Sequence, residues 1–323
     1  MSNQELDPQV VQKIKLLEAK YAASGQDLST YLEGLLHADY LKYWDYINLE
    51  TLLSLQRPRT RFPDEVIFIV YHQVTELYLK LMLWEIEQIS DSGSLPTPII
   101  FLEKIKRINS YFDYLVNTFD TMFYGMEHEQ FLNFRMTLTP SSGFQSLQFR
   151  LVEIRSTSMK NLLSLDIRND VQDESPEALF QKIYWKKGAT ESSTGKKTLS
   201  LVHFEQKYGK ILLQNVIDYK EKNLWSVYKS NFSSSENSAE IIQALRTFDQ
   251  LANVFWPLAH YKSAFRYLRQ KSDAVAATGG TNWQMYLPPH YQKVIYFPNL
   301  WSQDEKDNWG KQWVDKEVFE KAI

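Results

Sequence analysis

The sequence predicts an all-α protein: a large helical bundle with a smaller inserted helical and loop segment. Three observations carry that expectation. The 323 residues contain only 11 glycines and 11 prolines, so few breakers interrupt long helices. Apolar residues recur with a helical period through most of the chain. No alternating strand–helix pattern and no internal repeat is visible.

Several helices announce themselves locally. Pro63, Asp64 and Glu65 form a start signal, with a fixed φ and acids in the first turn. Ile67, Val70, Tyr71, Val74, Tyr78, Leu81 and Met82 then share one stripe. His72 lies on a second, partly apolar side with Phe68, Leu79 and Leu83, which predicts a helix buried on two sides. Residues 98–118 read as the next helix. Ser142 and Gln145 have capping-box spacing and predict an N-cap at Ser142; Asn237 and Glu240 repeat that spacing before a long helix. Pro257 sits inside that long helix and should bend it just before His260. Residues 186–200 and 230–238 are polar and read as loops, so 170–235 is expected to form a small subdomain within a single domain spanning 1–323. Short strands are expected near 293–297.

Composition bounds the function. Hydrophobic residues make up 44% and charged residues 23%, as in a globular chain. The net charge is -3, so nucleic acid is not an expected partner. The chain has no cysteine, which removes disulfides, thiolate metal sites and cysteine nucleophiles and fits a cytoplasmic setting. No apolar run reads as a membrane span, so no membrane is expected.

Six histidines are the candidate metal ligands. There is no HExxH and no Glu-x-x-His, which argues against a zincin or a ferritin-like di-iron site. His72 and Glu76 are one turn apart, but two ligands make a weak metal site. A haem needs less: one axial histidine on a helix beside an apolar cavity. Both His72 and His260 qualify, and Ser263 and Ala264 would let a flat ring approach His260. A hydrogen-bonded core histidine is the plainer reading of either. Arg135, among apolar neighbours, is either a structural ion pair or a clamp for a carboxylate. The Gly pair of "ATGGT" lacks the lysine of a phosphate loop; it is a flexible turn or a close backbone approach to a ligand.

Four blocks together resemble the tryptophan 2,3-dioxygenase family of histidine-ligated haem oxygenases. They are "YWDYINLETLLSLQ", "DEVIFIVYHQVTELYLK", "FLNFRMTLTPSSGFQSLQFR", and "HYKSAFRYL" with "ATGGT". The resemblance implies haem b with His260 as axial ligand, and L-tryptophan and O2 as substrates giving N-formylkynurenine. It implies that His72 accepts the indole N–H and that Phe68 packs on the indole. Arg135 would bind the substrate carboxylate, Thr278 the ammonium and carboxylate end, and Ser142 and Gly143 the haem edge. Tyr43, Tyr46 and Ile47 would reach a neighbouring subunit's site, which implies a homotetramer. Phe131 stands where well-known members carry tyrosine, and the continuation after "TGG" departs from the usual Gly/Ser-rich one. These departures keep a second reading open, a haem monooxygenase acting on tryptophan, tyrosine or a derivative. A haem- or tryptophan-binding sensor is the non-catalytic alternative.

Overall fold

The structure, a computed structural model, describes residues 6–91, 93, 95–138, 143–171, 174–191, 194–268 and 287–311. Ser142 and Thr278 lie outside them, as does the "ATGGT" turn. The described residues are helical with no strand, and the two isolated bridge pairs, Leu163 with Ile183 and Thr190 with Lys197, do not extend into a sheet. Contacts divide the chain into two units, Met1–Leu55 and Gln56–Ile323.

The first unit contains α1 (Pro8–Ala23), α2 (Leu28–His37), α3 (Tyr43–Tyr46) and α4 (Leu49–Leu53). Asp7 and Asp27 cap the first two helices, Asp27 accepting from the Thr30 N–H at 2.8 Å. Leu28 is the only buried residue described in this unit.

The second unit is built on α5 (Asp64–Ser90) and α6 (Pro98–Thr118), which pack against each other. Short helices α7 (Asp120–Tyr124) and α8 (His128–Arg135) follow, and then α9 (Leu147–Ser156) packs on α5. Residues 176–231 form α10 (Pro176–Gln181), α11 (Tyr184–Gly188), α12 (Leu199–Asp218) and α13 (Leu224–Asn231). Phe180, Trp185, Phe204 and Trp225 from this stretch belong to the same apolar core as Met82, Phe101, Phe112 and Phe248. The chain then runs through α14 (Ser238–Gln250), a π turn (Leu251–Phe255) and α15 (Trp256–Leu268) to α16 (Pro289–Gln292) and α17 (Gln303–Asp307).

Four local expectations differ from what is seen. Helix α9 is capped by Ser146, whose hydroxyl accepts from the Phe149 N–H, while the Gln145 side chain donates to the Ser200 carbonyl at 2.9 Å; Ser142 lies outside the described residues. Asn237 precedes α14 but makes no side-chain cap. Residues 293–297 form no strand, because the Tyr296 and Phe297 N–H groups donate to the Asp249 carboxylate instead of to a neighbouring strand. On α5, Tyr71 and Met82 of the expected stripe are buried, but Val70, Val74 and Leu81 are exposed. The helix buries Thr75, Leu79 and Leu83 instead, since α6 and α9 pack on that side. Helix α5 is also the one described helix long and apolar enough to cross a membrane by composition. Within the fold it carries buried Glu65 and Glu85, hydrogen-bonded at Thr60 and Lys104 respectively.

Candidate active site

A cavity of about 380 Å3 opens between α5, α8, α11 and the π turn with α15, a size in the usual ligand-pocket range of roughly 300–1,000 Å3. Its wall is mostly aromatic and apolar. Helix α5 contributes Phe68, Tyr71, His72, Thr75 and Leu79, all on the side away from its exposed valines. Helix α15 contributes His260, and one turn later the small Ser263 and Ala264.

The expected bend before His260 takes a specific form. The helix widens into a π turn over Leu251–Phe255, and α15 restarts at Trp256 with Pro257 in its first turn. Proline brings no N–H, so the widened turn ends where a regular helical bond would be missing anyway.

The two histidines share one arrangement. His72 Nδ1 lies 2.7 Å from the Phe68 carbonyl oxygen, and His260 Nδ1 lies 2.9 Å from that of Trp256. A carbonyl only accepts, so each Nδ1 carries the hydrogen and each Nε2 keeps a lone pair. Burial pushes the His260 imidazole down to about 4, against the Trp256 hydrogen bond and with a smaller push from His72. His72 is lowered too, by burial first, with the Phe68 carbonyl and Glu76 opposing. Its surface is accessible, yet protein surrounds it, because it opens onto the cavity. Both rings are therefore neutral at pH 7. His260 is held between aromatic rings, with Trp256 and Phe119 centroids at 4.3 and 4.6 Å. Phe68 lies 4.1 Å from the His72 ring.

Phe131 and Gly143 join Phe68, His72 and His260 in the wall. Arg135 does not: it is buried at the end of α8, one turn beyond Phe131, outside the described wall. Tyr43 and Tyr46 are exposed in the first unit, and Ile47 is half-buried there.

Sequence reasoning missed the far end of the cavity. Arg150 and Trp185 line it, and Arg150 Nε and Trp185 Nε1 are buried donors with no acceptor among the described residues. Arg150 also pairs with Glu153 at 2.7 Å, and Glu153 accepts from the Tyr184 hydroxyl at 2.5 Å. The i, i+3 spacing of Arg150 and Glu153 was the available signal; Trp185 sits beside a polar loop and gave none. The donor set fits a haem. It offers one neutral imidazole with a free Nε2, small residues one turn on, and two unsatisfied donors in the same wall for an anionic group.

The family description Tryptophan 2,3-dioxygenase matches residues 34–163, which include α5, α8 and α9. The tryptophan 2,3-dioxygenase of Ruegeria sp. (strain TM1040) is 27% identical over 280 residues, 82% of this chain and 92% of that protein. The chain is similar to tryptophan 2,3-dioxygenases over most of its length. That of Herpetosiphon aurantiacus is 29% identical over 280 residues, covering 81% of this chain and 96% of its own. Tryptophan 2,3-dioxygenase B of Danio rerio is 36% identical over a shorter stretch of 126 residues, 37% of this chain and 30% of that protein.

Proposed function

We propose that this chain is a haem-dependent dioxygenase that cleaves the indole C2–C3 bond of L-tryptophan with O2 to give N-formylkynurenine. The observation that carries the proposal is the pair of neutral histidines on separate helices, each with Nδ1 tied to a backbone carbonyl and both lining one aromatic cavity. Haem b, when bound, supplies the oxygen chemistry.

The residues divide the remaining work. His260 would hold the iron, its Nε2 free and its ring fixed by Trp256 and Phe119. Arg150 and Trp185 are placed to satisfy the acidic edge of the haem with their unpaired donors. Gly143 lines the same wall, and with Ser142 it would hold the haem edge. His72 Nε2 accepts the indole N–H, which turns the ring while Phe68 packs on its face. Arg135 would pair with the substrate carboxylate and Thr278 with its ammonium end. Arg135 would have to turn toward the cavity, and Phe131 brings no hydroxyl to help it. Holding the amino-acid end and the indole at once is catalysis by positioning. A cytoplasmic setting and a homotetramer complete the reading. In it, Tyr43, Tyr46 and Ile47 reach another copy's site, consistent with a first unit that buries almost nothing of its own.

The test is anaerobic reduction of the purified, haem-loaded protein, addition of tryptophan and labelled O2, and mass spectrometry of the product. Two incorporated oxygen atoms are expected; one would make it a monooxygenase. His260→Ala should abolish the Soret band, whereas His72→Ala should keep it.

A further inference from the structure

The carboxylate of Asp249 is fully buried at the end of α14, and among the described residues no lysine or arginine pairs with it. An isolated buried carboxylate is costly unless N–H donors surround it. Here four do. Oδ1 accepts from the Tyr296 backbone N–H at 2.6 Å and from Asn253 Nδ2 at 2.9 Å. Oδ2 accepts from the Phe297 N–H and from Trp301 Nε1, both at 3.0 Å.

The donors come from two directions. Three belong to the C-terminal segment 296–301. The fourth, Asn253, belongs to the π turn, whose side chain also lines the cavity. Three residues later comes Trp256, whose carbonyl accepts from His260 Nδ1. Asp249 itself is not in the cavity wall.

We infer that Asp249 is a positioning residue: it clamps the C-terminal segment to the π turn and thereby sets the orientation of Trp256 and His260. The inference rests on the reading of His260 as the haem ligand. A π turn is a strained departure from regular helix, and it persists only where side-chain contacts hold it. Asn253 supplies such a contact, and the carboxylate fixes Asn253. The same carboxylate explains why 293–301 runs as an irregular arm rather than a strand.

The test uses the full chain without haem, by hydrogen exchange and mass spectrometry, followed by hemin titration. An asparagine at 249 keeps one acceptor oxygen and turns an NH2 toward N–H donors. Asp249→Asn should speed exchange across 251–260 and weaken hemin binding by about 10-fold or more, the range for removing a ligand's outer support. Trp301→Phe removes one donor on the far side. It should speed exchange only across 293–301 and leave hemin affinity as in the wild type. If Asp249→Asn fails to fold, Asn253→Ala cuts the same link from the other end and should give the same two effects. Unaltered exchange across 251–260, or wild-type hemin affinity, overturns the inference. A wild-type protein that takes up no hemin removes the haem reading instead, and the exchange comparison still decides the role of Asp249.

Discussion

Residues 6–55 and the bundle that follows are both helical and both capped by side chains, yet they use their apolar residues in opposite ways. In the bundle, Phe101, Ile105, Phe112 and Phe248 are wholly buried. In the first unit, Leu36 and Tyr40 are 79% and 96% exposed, and among its described residues only Leu28 is buried. Caps and propensity are enough to start a helix, but a helix of 10–16 residues is marginal unless its apolar face is covered. The first unit therefore has local structure without a core of its own. A second copy of the chain is the cover proposed for it.

The contrast can be broken by mutation. The largest effect is expected at Phe112→Ala, which empties a fully buried site between α6 and α14 and should cost about 3–5 kcal/mol in denaturant unfolding. Next comes Asp249. Burial raises its carboxyl from an ordinary value near 3.8 to about 6, so the folded chain holds that proton more tightly than the unfolded chain. Stability from this group is full below pH 3.8 and falls as pH rises to about 6, then stays flat. The wild type should lose about 3 kcal/mol more than Asp249→Asn between pH 3.8 and pH 7, read from unfolding midpoints. Ser146→Ala removes the α9 cap and should cost about 1 kcal/mol. Leu36→Ser is the smallest: it should leave bundle unfolding within about 0.5 kcal/mol while reducing the assembly mass seen by light scattering. A Leu36→Ser chain that unfolds like Phe112→Ala would abolish the distinction between the two regions.

Much of this was legible beforehand because it is local. The starts of α5 and α6, the all-helical class and the disturbance before His260 each follow from a few adjacent residues. What escaped was set by distant partners. The capping-box spacing of Ser142 and Gln145 drew the expectation to Ser142, yet the cap on α9 is Ser146, and Gln145 reaches Ser200, far along the chain. The apolar stripe of α5 could not say which of its sides faces α6 and α9, so Val70 and Val74 were assigned to the wrong side. Residues 293–297 have strand composition, and only Asp249, more than forty positions earlier, turns their N–H groups away from a ladder. At the site, His72, His260, Phe68 and Phe131 come together in one cavity wall. Trp185 was not expected there, since the lysines that follow it open a stretch that reads as a polar loop.

The π turn also sets a phase. A regular α-helix advances about 100° per residue, and a π turn absorbs one extra residue without lengthening the helix by a full step. Everything after Leu251–Phe255 is thus rotated relative to α14 by roughly one residue's worth of angle. Were the same residues wound as regular α-helix, His260 would swing about 100° away from the cavity. A variant shortened by one residue there is expected to lose the π turn and yet keep both its fold and the face that carries His260.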